Sequence, residues 1–302
     1  MKVEIGGSSK ELIGMDDKVA SALRALHIRQ PVLFYGPTGS GKTMIAWALA
    51  QKYANQTSKT TDDLQGKIFP SGPKIPIVYL QLYPEMTKNS LIGGETLKNG
   101  SIVVETQPVI SMGSKGAIFI VDECTHTTEP VLLAFNSLIE EPYSTVIGKE
   151  IYTLSPDTRF IFCGNYPDHA GNIALPISFA NRLYIEKVEL PSEKDLIKIG
   201  LSVEPDLNRD LIKFIAEIIN KVHEPSFPVS PRNMILCCKG AASLKGVKLA
   251  EGDTEDIPRD IAKALKKEKI SPNAFKEMVM STLMAHIKSK TIGPDKVGAL
   301  LW

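Results

Sequence analysis

The run Pro31-Val-Leu-Phe-Tyr-Gly-Pro-Thr-Gly-Ser-Gly-Lys-Thr43 constrains this chain more than any other stretch. The apolar segment Val32 to Tyr35 stops abruptly at Gly36, and a helical pattern, Met44 to Tyr53, begins after Thr43. Strand, glycine-rich turn and helix N-terminus in that order, with the spacing Gly-x4-Gly-Lys-Thr, form a phosphate cradle. Gly36, Pro37, Thr38, Gly39, Ser40 and Gly41 supply a backbone that curls with its N–H groups inward, where the helix N-terminus also favours an anion. Lys42 adds a point charge for the β- and γ-phosphates, and the Thr43 hydroxyl is placed to ligate Mg2+.

Ala117-Ile-Phe-Ile-Val-Asp-Glu123 is the second informative segment. An unbroken apolar run marks a strand covered on both faces, as in a parallel sheet flanked by helices. Its two carboxylates stand at the C-terminal end, where ligands bind in open α/β sheets. An acidic pair there also serves as an ordinary solvated strand end. Downstream of a phosphate loop it reads as a Walker B pair, Asp122 for the Mg2+ shell and Glu123 to polarise the attacking water. Arg159 to Asn165 repeats the design with an amide: Asn165 suits a hydrogen bond to water and phosphate, or a plain strand-end turn.

The remaining elements follow from periodicity. Val19, Leu23 and Leu26 share one face of a helix after Gly14; the turn Leu12-Ile13-Gly14 before it suits an adenine contact or a plain helix entry. Asn55 to Pro73 is polar and punctuated, hence expected as a loop, and Ile75 to Tyr83 as a strand. Asn99-Gly100 between short extended runs predicts a hairpin within about residues 91–108, either a structural flap or a projecting contact device. Pro130 to Glu140 reads as a short helix, Thr145 to Leu154 as a second hairpin, and Leu183 to Leu190 as the fifth strand of a βαβ series. Beyond Pro191 the pattern turns helical, over Asp206–His223, Pro231–Leu244, Pro258–Lys269 and Pro272–Ser289. Two domains are expected: an αβα nucleotide-binding core over 1–190 and an all-α domain over 191–302. Ser230-Pro231-Arg232 places an arginine in the opening turn of a helix.

Charge and cysteine usage exclude some classes. A net charge of +1 over 302 residues offers no global field for nucleic acid or an anionic membrane. Lys263, Lys266, Lys267 and Lys269 cluster, with Glu268 among them, as a solvated helix face. Cys124, Cys163, Cys237 and Cys238 lack metal-ligand spacing and read as buried, reduced thiols. No apolar run approaches the roughly 20 residues of a membrane span, and Met1 to Lys10 carries no signal-peptide core. The expected location is cytoplasmic.

With these motifs in order, the chain resembles an AAA+ ATPase of the MoxR family, from Leu12 to about residue 290. Gly36 to Thr43, Leu91-Ile-Gly-Gly-Glu-Thr-Leu-Lys-Asn-Gly, Phe119-Ile-Val-Asp-Glu, Arg159 to Asn165, Asn181-Arg182 and Ser230-Pro-Arg232 carry the resemblance. It implies a P-loop AAA+ αβα core with a five-stranded parallel sheet and a helical lid. It also implies a ring, usually a hexamer, with Mg2+ and ATP at the interfaces. Asn165 then looks like sensor 1, Arg232 like sensor 2 and Arg182 like an arginine finger, with Arg159 in reserve. Ile13 and Gly14 match the adenine side. Partners implied are a client protein and a von Willebrand factor A domain protein. Cys124-Thr125-His126-Thr127 departs from the family's usual Ile-Asn-Arg-Ala, and Asn181 from a common acidic residue. Two rivals are weaker. A nucleic-acid motor needs a basic channel, and a GTP-type switch needs Asn-Lys-x-Asp, for which Asn220-Lys-Val-His223 lacks the Asp.

Overall fold

The computed structural model of the chain describes residues 1–5, 7–65, 75–167, 172–222, 230–246 and 257–287. It divides into two compact units, Met1–Pro37 with Gly41–Val188, and Thr38–Ser40 with the chain from Glu189 onward. The first unit opens with a hairpin the sequence pattern did not announce, β1 (Lys2–Ile5) and β2 (Ser8–Glu11). All of β2 is exposed and Val3 alone of β1 is buried, so the strands carry no alternating apolar stripe to read. The amphipathic helix α1 (Asp16–His27) follows and buries Val19, Leu23 and Leu26 as expected.

Next come β3 (Val32–Tyr35) and α2 (Lys42–Gln65). The expected loop Asn55 to Pro73 is corrected here: the chain is helical through Gln65. Polar residues suggested a loop, but no glycine or proline interrupts the helix before Gly66. Residues 66–73 lie outside those described. After β4 (Ile77–Gln81), α3 (Lys88–Ile92) leads into β5 (Gly93–Lys98) and β6 (Ser101–Thr106). These two pair antiparallel around Asn99 and Gly100, whose φ angles are 51° and 78°. Two left-handed residues in a two-residue loop match the twist of the strands they join.

A short α4 (Pro108–Ser111) precedes β7 (Ile118–Asp122). The single helix expected over Pro130 to Glu140 is two turns, α5 (Glu129–Leu133) and α6 (Asn136–Ile139). The second hairpin is β8 (Ser144–Ile147) with β9 (Glu150–Thr153), turning at Gly148 with φ 60°. The unit closes with β10 (Arg159–Gly164), α7 (Ile177–Ala180) and β11 (Tyr184–Lys187).

Five strands make one sheet in the order β11-β3-β10-β7-β4, every pair parallel. Side chains alternate across it, so each buried strand feeds two cores. Phe34, Ile118, Ile120 and Ile161 pack with Leu23, Leu26, Ile45 and Leu49 of the first two helices. Leu33, Phe119, Phe160 and Phe162 pack on the opposite face with Phe135, Leu138 and Phe179. This is the expected α/β P-loop core, with helices on both faces of a five-stranded parallel sheet.

The second unit is helical: α8 (Glu193–Val203), α9 (Arg209–Val222), α10 (Pro231–Ser243), α11 (Arg259–Glu268) and α12 (Pro272–Ile287). The sequence reading lacked α8, which Ser192 caps through a bond from the Asp195 N–H. Its core joins Leu211, Ile215, Met234, Cys238, Phe275 and Val279. Lys263, Lys266, Lys267 and Lys269 are exposed, as a solvated face requires. His223, Lys288 and Ser289, at the ends of two expected helices, lie outside the described residues. Among those described, no helix is long and apolar enough to cross a membrane.

Candidate functional site

The parallel sheet brings the C-terminal ends of β3, β7 and β10 side by side, and these are the ends that carry Gly36, Asp122 with Glu123, and Asn165. Each side chain is aimed by its strand rather than by a long loop. Gly36 is buried, and a Cβ there would stand 1.9 Å from the Val188 carbonyl oxygen, so no other residue fits. Gly39 and Gly41 have φ of 80° and 93°, the left-handed curl a phosphate loop needs. Pro37 is half-buried and Thr38 exposed.

Lys42 opens α2 and is 7% exposed, with Nζ donating to the carbonyls of Gly36 (3.0 Å) and Pro37 (2.7 Å). Burial pulls its pKa below the ordinary lysine value, against the opposing field of groups that include Glu123 and Asp122. A buried lysine that, among the described residues, bonds only backbone carbonyls invites an anion. The Ser40 hydroxyl is also buried and has no hydrogen-bond partner among the described residues. An orphaned donor inside a left-handed glycine loop, beside a desolvated ammonium, fits a phosphate chain.

Asp122 is 8% exposed and held at both oxygens. Oδ1 accepts the N–H of Glu123 (3.0 Å); Oδ2 accepts the hydroxyls of Thr43 (2.8 Å) and Tyr79 (2.9 Å). The Thr43 hydroxyl and the Asp122 carboxylate therefore share one place, as a Mg2+ shell of hard oxygen donors demands. Glu123 sits at φ 54°, a left-handed conformation uncommon for a glutamate. Its Oε2 accepts the Asn165 amide at 2.9 Å. Asn165 is 7% exposed, and its own N–H donates to the Thr125 hydroxyl at 2.9 Å. The two residues expected to handle the attacking water are thus in direct contact.

The other expected residues have surroundings of their own. Arg182 forms an ion pair with Glu140 (2.5 Å) and also donates to the Ser178 carbonyl, beside a cavity of about 490 Å3 lined by Arg29, Tyr143 and Asn181. Arg159, the reserve candidate for that role, is 9% exposed and donates to the carbonyls of Leu26, Pro156 and Thr158. Leu12 is buried in the core, Ile13 is half-buried and Gly14 turns at φ 73°. Arg232, exposed, stands in the opening turn of α10, where the Asn233 side-chain oxygen accepts both the N–H and the hydroxyl of Ser230 at 3.0 Å. His126 is half-buried, and its N–H donates to the Glu123 carbonyl.

The four cysteines are free and buried, and desolvation raises their thiol pKa values, Cys237 and Cys238 to about 12. None is poised as a nucleophile. Among the described residues, no cluster of His, Cys, Asp or Glu could hold a metal ion on its own.

Sequence reasoning missed Thr125 and Tyr79. Thr125 is fully buried in the stretch that departs from the usual motif, and it ties β10 to the loop after β7. Tyr79 was readable in principle. Period-two alternation in β4 puts it on the same face as Asp122, because Gln81 pairs with Asp122 and Tyr79 with Ile120.

Residues 31–178 match the family described as AAA domain (dynein-related subfamily). Among solved structures, the chain is similar to NtrX from Brucella abortus in complex with ADP, at 13% identity and TM-score 0.53, covering 93% of this chain and 65% of that one. It also matches a protein of Cytophaga hutchinsonii described as a candidate ATPase, at 14% identity and TM-score 0.44, covering 96% and 89%. The likeness to NtrX is one of fold.

Proposed function

From the premise that this chain carries the AAA domain of an AAA+ ATPase, we propose that it binds Mg2+-ATP at Gly36–Thr43 and hydrolyses it with Glu123 as the general base. The observation that carries this reading is the contact of Glu123 with Asn165, next to Asp122 and Thr43 at the mouth of the phosphate loop. Glu123 takes a proton from the attacking water while Asn165 orients it; Lys42 and the loop N–H groups hold the phosphate charge. Bound with the nucleotide, Mg2+ would neutralise charge developing between the β- and γ-oxygens. ADP in the NtrX structure is consistent with a nucleotide of this class.

In this reading the unit over 1–190 is the motor core, the unit over 191–302 is its lid with Arg232 as sensor 2, and Ile13 and Gly14 face the adenine. The assembly is a ring, usually a hexamer, in the cytoplasm. Its work is to remodel or assemble a partner protein in MoxR fashion, with a von Willebrand factor A domain protein among the candidates. Arg182 reaches the neighbour's nucleotide after release from Glu140. Mixing Arg182→Ala protein with Glu123→Gln protein, each inactive alone, should then restore part of the turnover, since mixed interfaces pair an intact finger with an intact base. An arginine finger contributes on the order of 10^3-fold or more. Arg182→Ala protein that hydrolyses ATP at the wild-type rate would overturn the trans role.

The β5–β6 hairpin supports a protein client over a nucleic acid. Leu97 and Ile102 form a cross-strand pair and are 72% and 71% exposed, an apolar tip without basic residues beyond Lys98. Replacing Leu97–Val103 by a Gly-Ser linker should leave ATP binding intact and abolish stimulation of hydrolysis by the client. If ATP binding is lost as well, the hairpin is a structural flap.

A further inference from the structure

We infer that Tyr79 is a positioning residue for the Mg2+ half of this site, with Trp47 as the plate that holds it, an inference resting on the nucleotide-site reading above. Asp122 Oδ2 accepts two hydroxyls at once, Thr43 at 2.8 Å and Tyr79 at 2.9 Å. Thr43 is a candidate ligand, so its bond is part of the metal shell itself. Tyr79 belongs to no motif, yet it bonds the same oxygen.

The placement follows from the backbone. Tyr79 and Asp122 lie on one face of adjacent parallel strands, offset diagonally by two residues, a span that a long aromatic side chain bridges. Trp47 stands one helical turn after Thr43 on α2 and stacks on the Tyr79 ring, with centroids 6.2 Å apart and planes at 16°. Tyr79 is 41% exposed, so burial does not hold its ring; the Trp47 face does. Thr43 and Trp47 on one helix therefore fix the carboxylate from two directions, one directly and one through Tyr79.

The consequence is for metal affinity rather than for phosphate binding. A carboxylate that approaches a metal is fixed by its own outer hydrogen bonds, and losing one typically costs 10- to 100-fold in metal affinity. Water can reach a half-exposed hydroxyl position, which puts the expected effect at the lower end, about 10-fold. Lys42 makes its bonds to the Gly36 and Pro37 carbonyls and Tyr79 to Asp122, so the change leaves the phosphate half of the proposed site as it is.

Calorimetry of ADP with wild type and Tyr79→Phe, in EDTA and over a Mg2+ series, tests this without using turnover. The Phe ring retains the Trp47 stack, so the variant keeps its fold. The expected result is unchanged ADP affinity in EDTA and a Mg2+ half-saturation raised about 10-fold. Trp47→Ala should reproduce the Mg2+ defect. Equal Mg2+ dependence in wild type and Tyr79→Phe overturns the inference while leaving the nucleotide site standing. Loss of ADP binding in EDTA makes Tyr79 a structural residue and also overturns it. If wild type binds no ADP at all, the nucleotide reading fails first, and the inference with it.

Discussion

Glu123→Gln protein should bind ATP as wild type does and turn over at least about 100-fold more slowly, the lower end of what a general base contributes. Glutamine keeps the shape of the side chain and a carbonyl oxygen that can accept the Asn165 amide, now made to Glu123 Oε2 at 2.9 Å. The left-handed backbone at φ 54° is unchanged in kind, since both residues bear a Cβ and γ-carbon alike. Asp122 accepts from Thr43, Tyr79 and the Glu123 backbone N–H, and Lys42 donates to two backbone carbonyls, so none of these bonds uses Glu123's carboxylate and each survives the change. What disappears, under the proposed function, is the basic oxygen that would take the water's proton. ATP affinity by calorimetry and phosphate release at saturating ATP separate the two effects. Hydrolysis above about a tenth of the wild-type rate, less than about 1.4 kcal/mol of barrier, would place the base elsewhere.

The placement of the strand-end carboxylates and of the glycine loop was legible because each rests on a local rule. A glycine loop between strand and helix, and carboxylates after a buried apolar strand, leave little freedom for where their side chains go. The hairpin turn at Asn99-Gly100 was legible for the same reason, as two adjacent residues had to accept positive φ. Contacts that depend on strand order were not legible. Nothing local tells that Tyr79, in a strand far from Asp122 in sequence, lies beside it; that needs β4 to pair with β7. Arg159 reads from sequence as a strand-start cation, and its burial under the Leu26 carbonyl depends on how α1 lies against the sheet. The polar second half of α2 shows the opposite failure. Composition argued for a loop, whereas the absence of Gly and Pro before residue 66 carried more information about backbone hydrogen bonding.

Lys42→Ala should abolish nucleotide binding at concentrations that saturate wild type, and it carries the largest effect expected here. The ammonium is desolvated, its pKa is pulled down by burial, and it donates to two backbone carbonyls. A triphosphate brought to Ser40, Gly41 and Thr43 without that charge is buried with its own charge poorly paired. Truncating one partner of a buried charged pair costs about 2–5 kcal/mol, which is roughly 30- to 4,000-fold in affinity. Thermal denaturation reads this directly. At an ATP concentration near 100 times the wild-type Kd, ligand binding adds about 2.7 kcal/mol of stability. That corresponds to a rise of roughly 5–10 °C for a unit of this size. With affinity reduced about 1,000-fold, the same concentration adds less than about 0.1 kcal/mol, and the midpoint should not move. Without nucleotide, the variant loses two hydrogen bonds to carbonyls, about 1 kcal/mol each, so its own midpoint should fall by a few degrees yet remain cooperative. A Lys42→Ala protein that still gains the wild-type shift with ATP would mean that the nucleotide is held somewhere other than the Gly36–Thr43 loop.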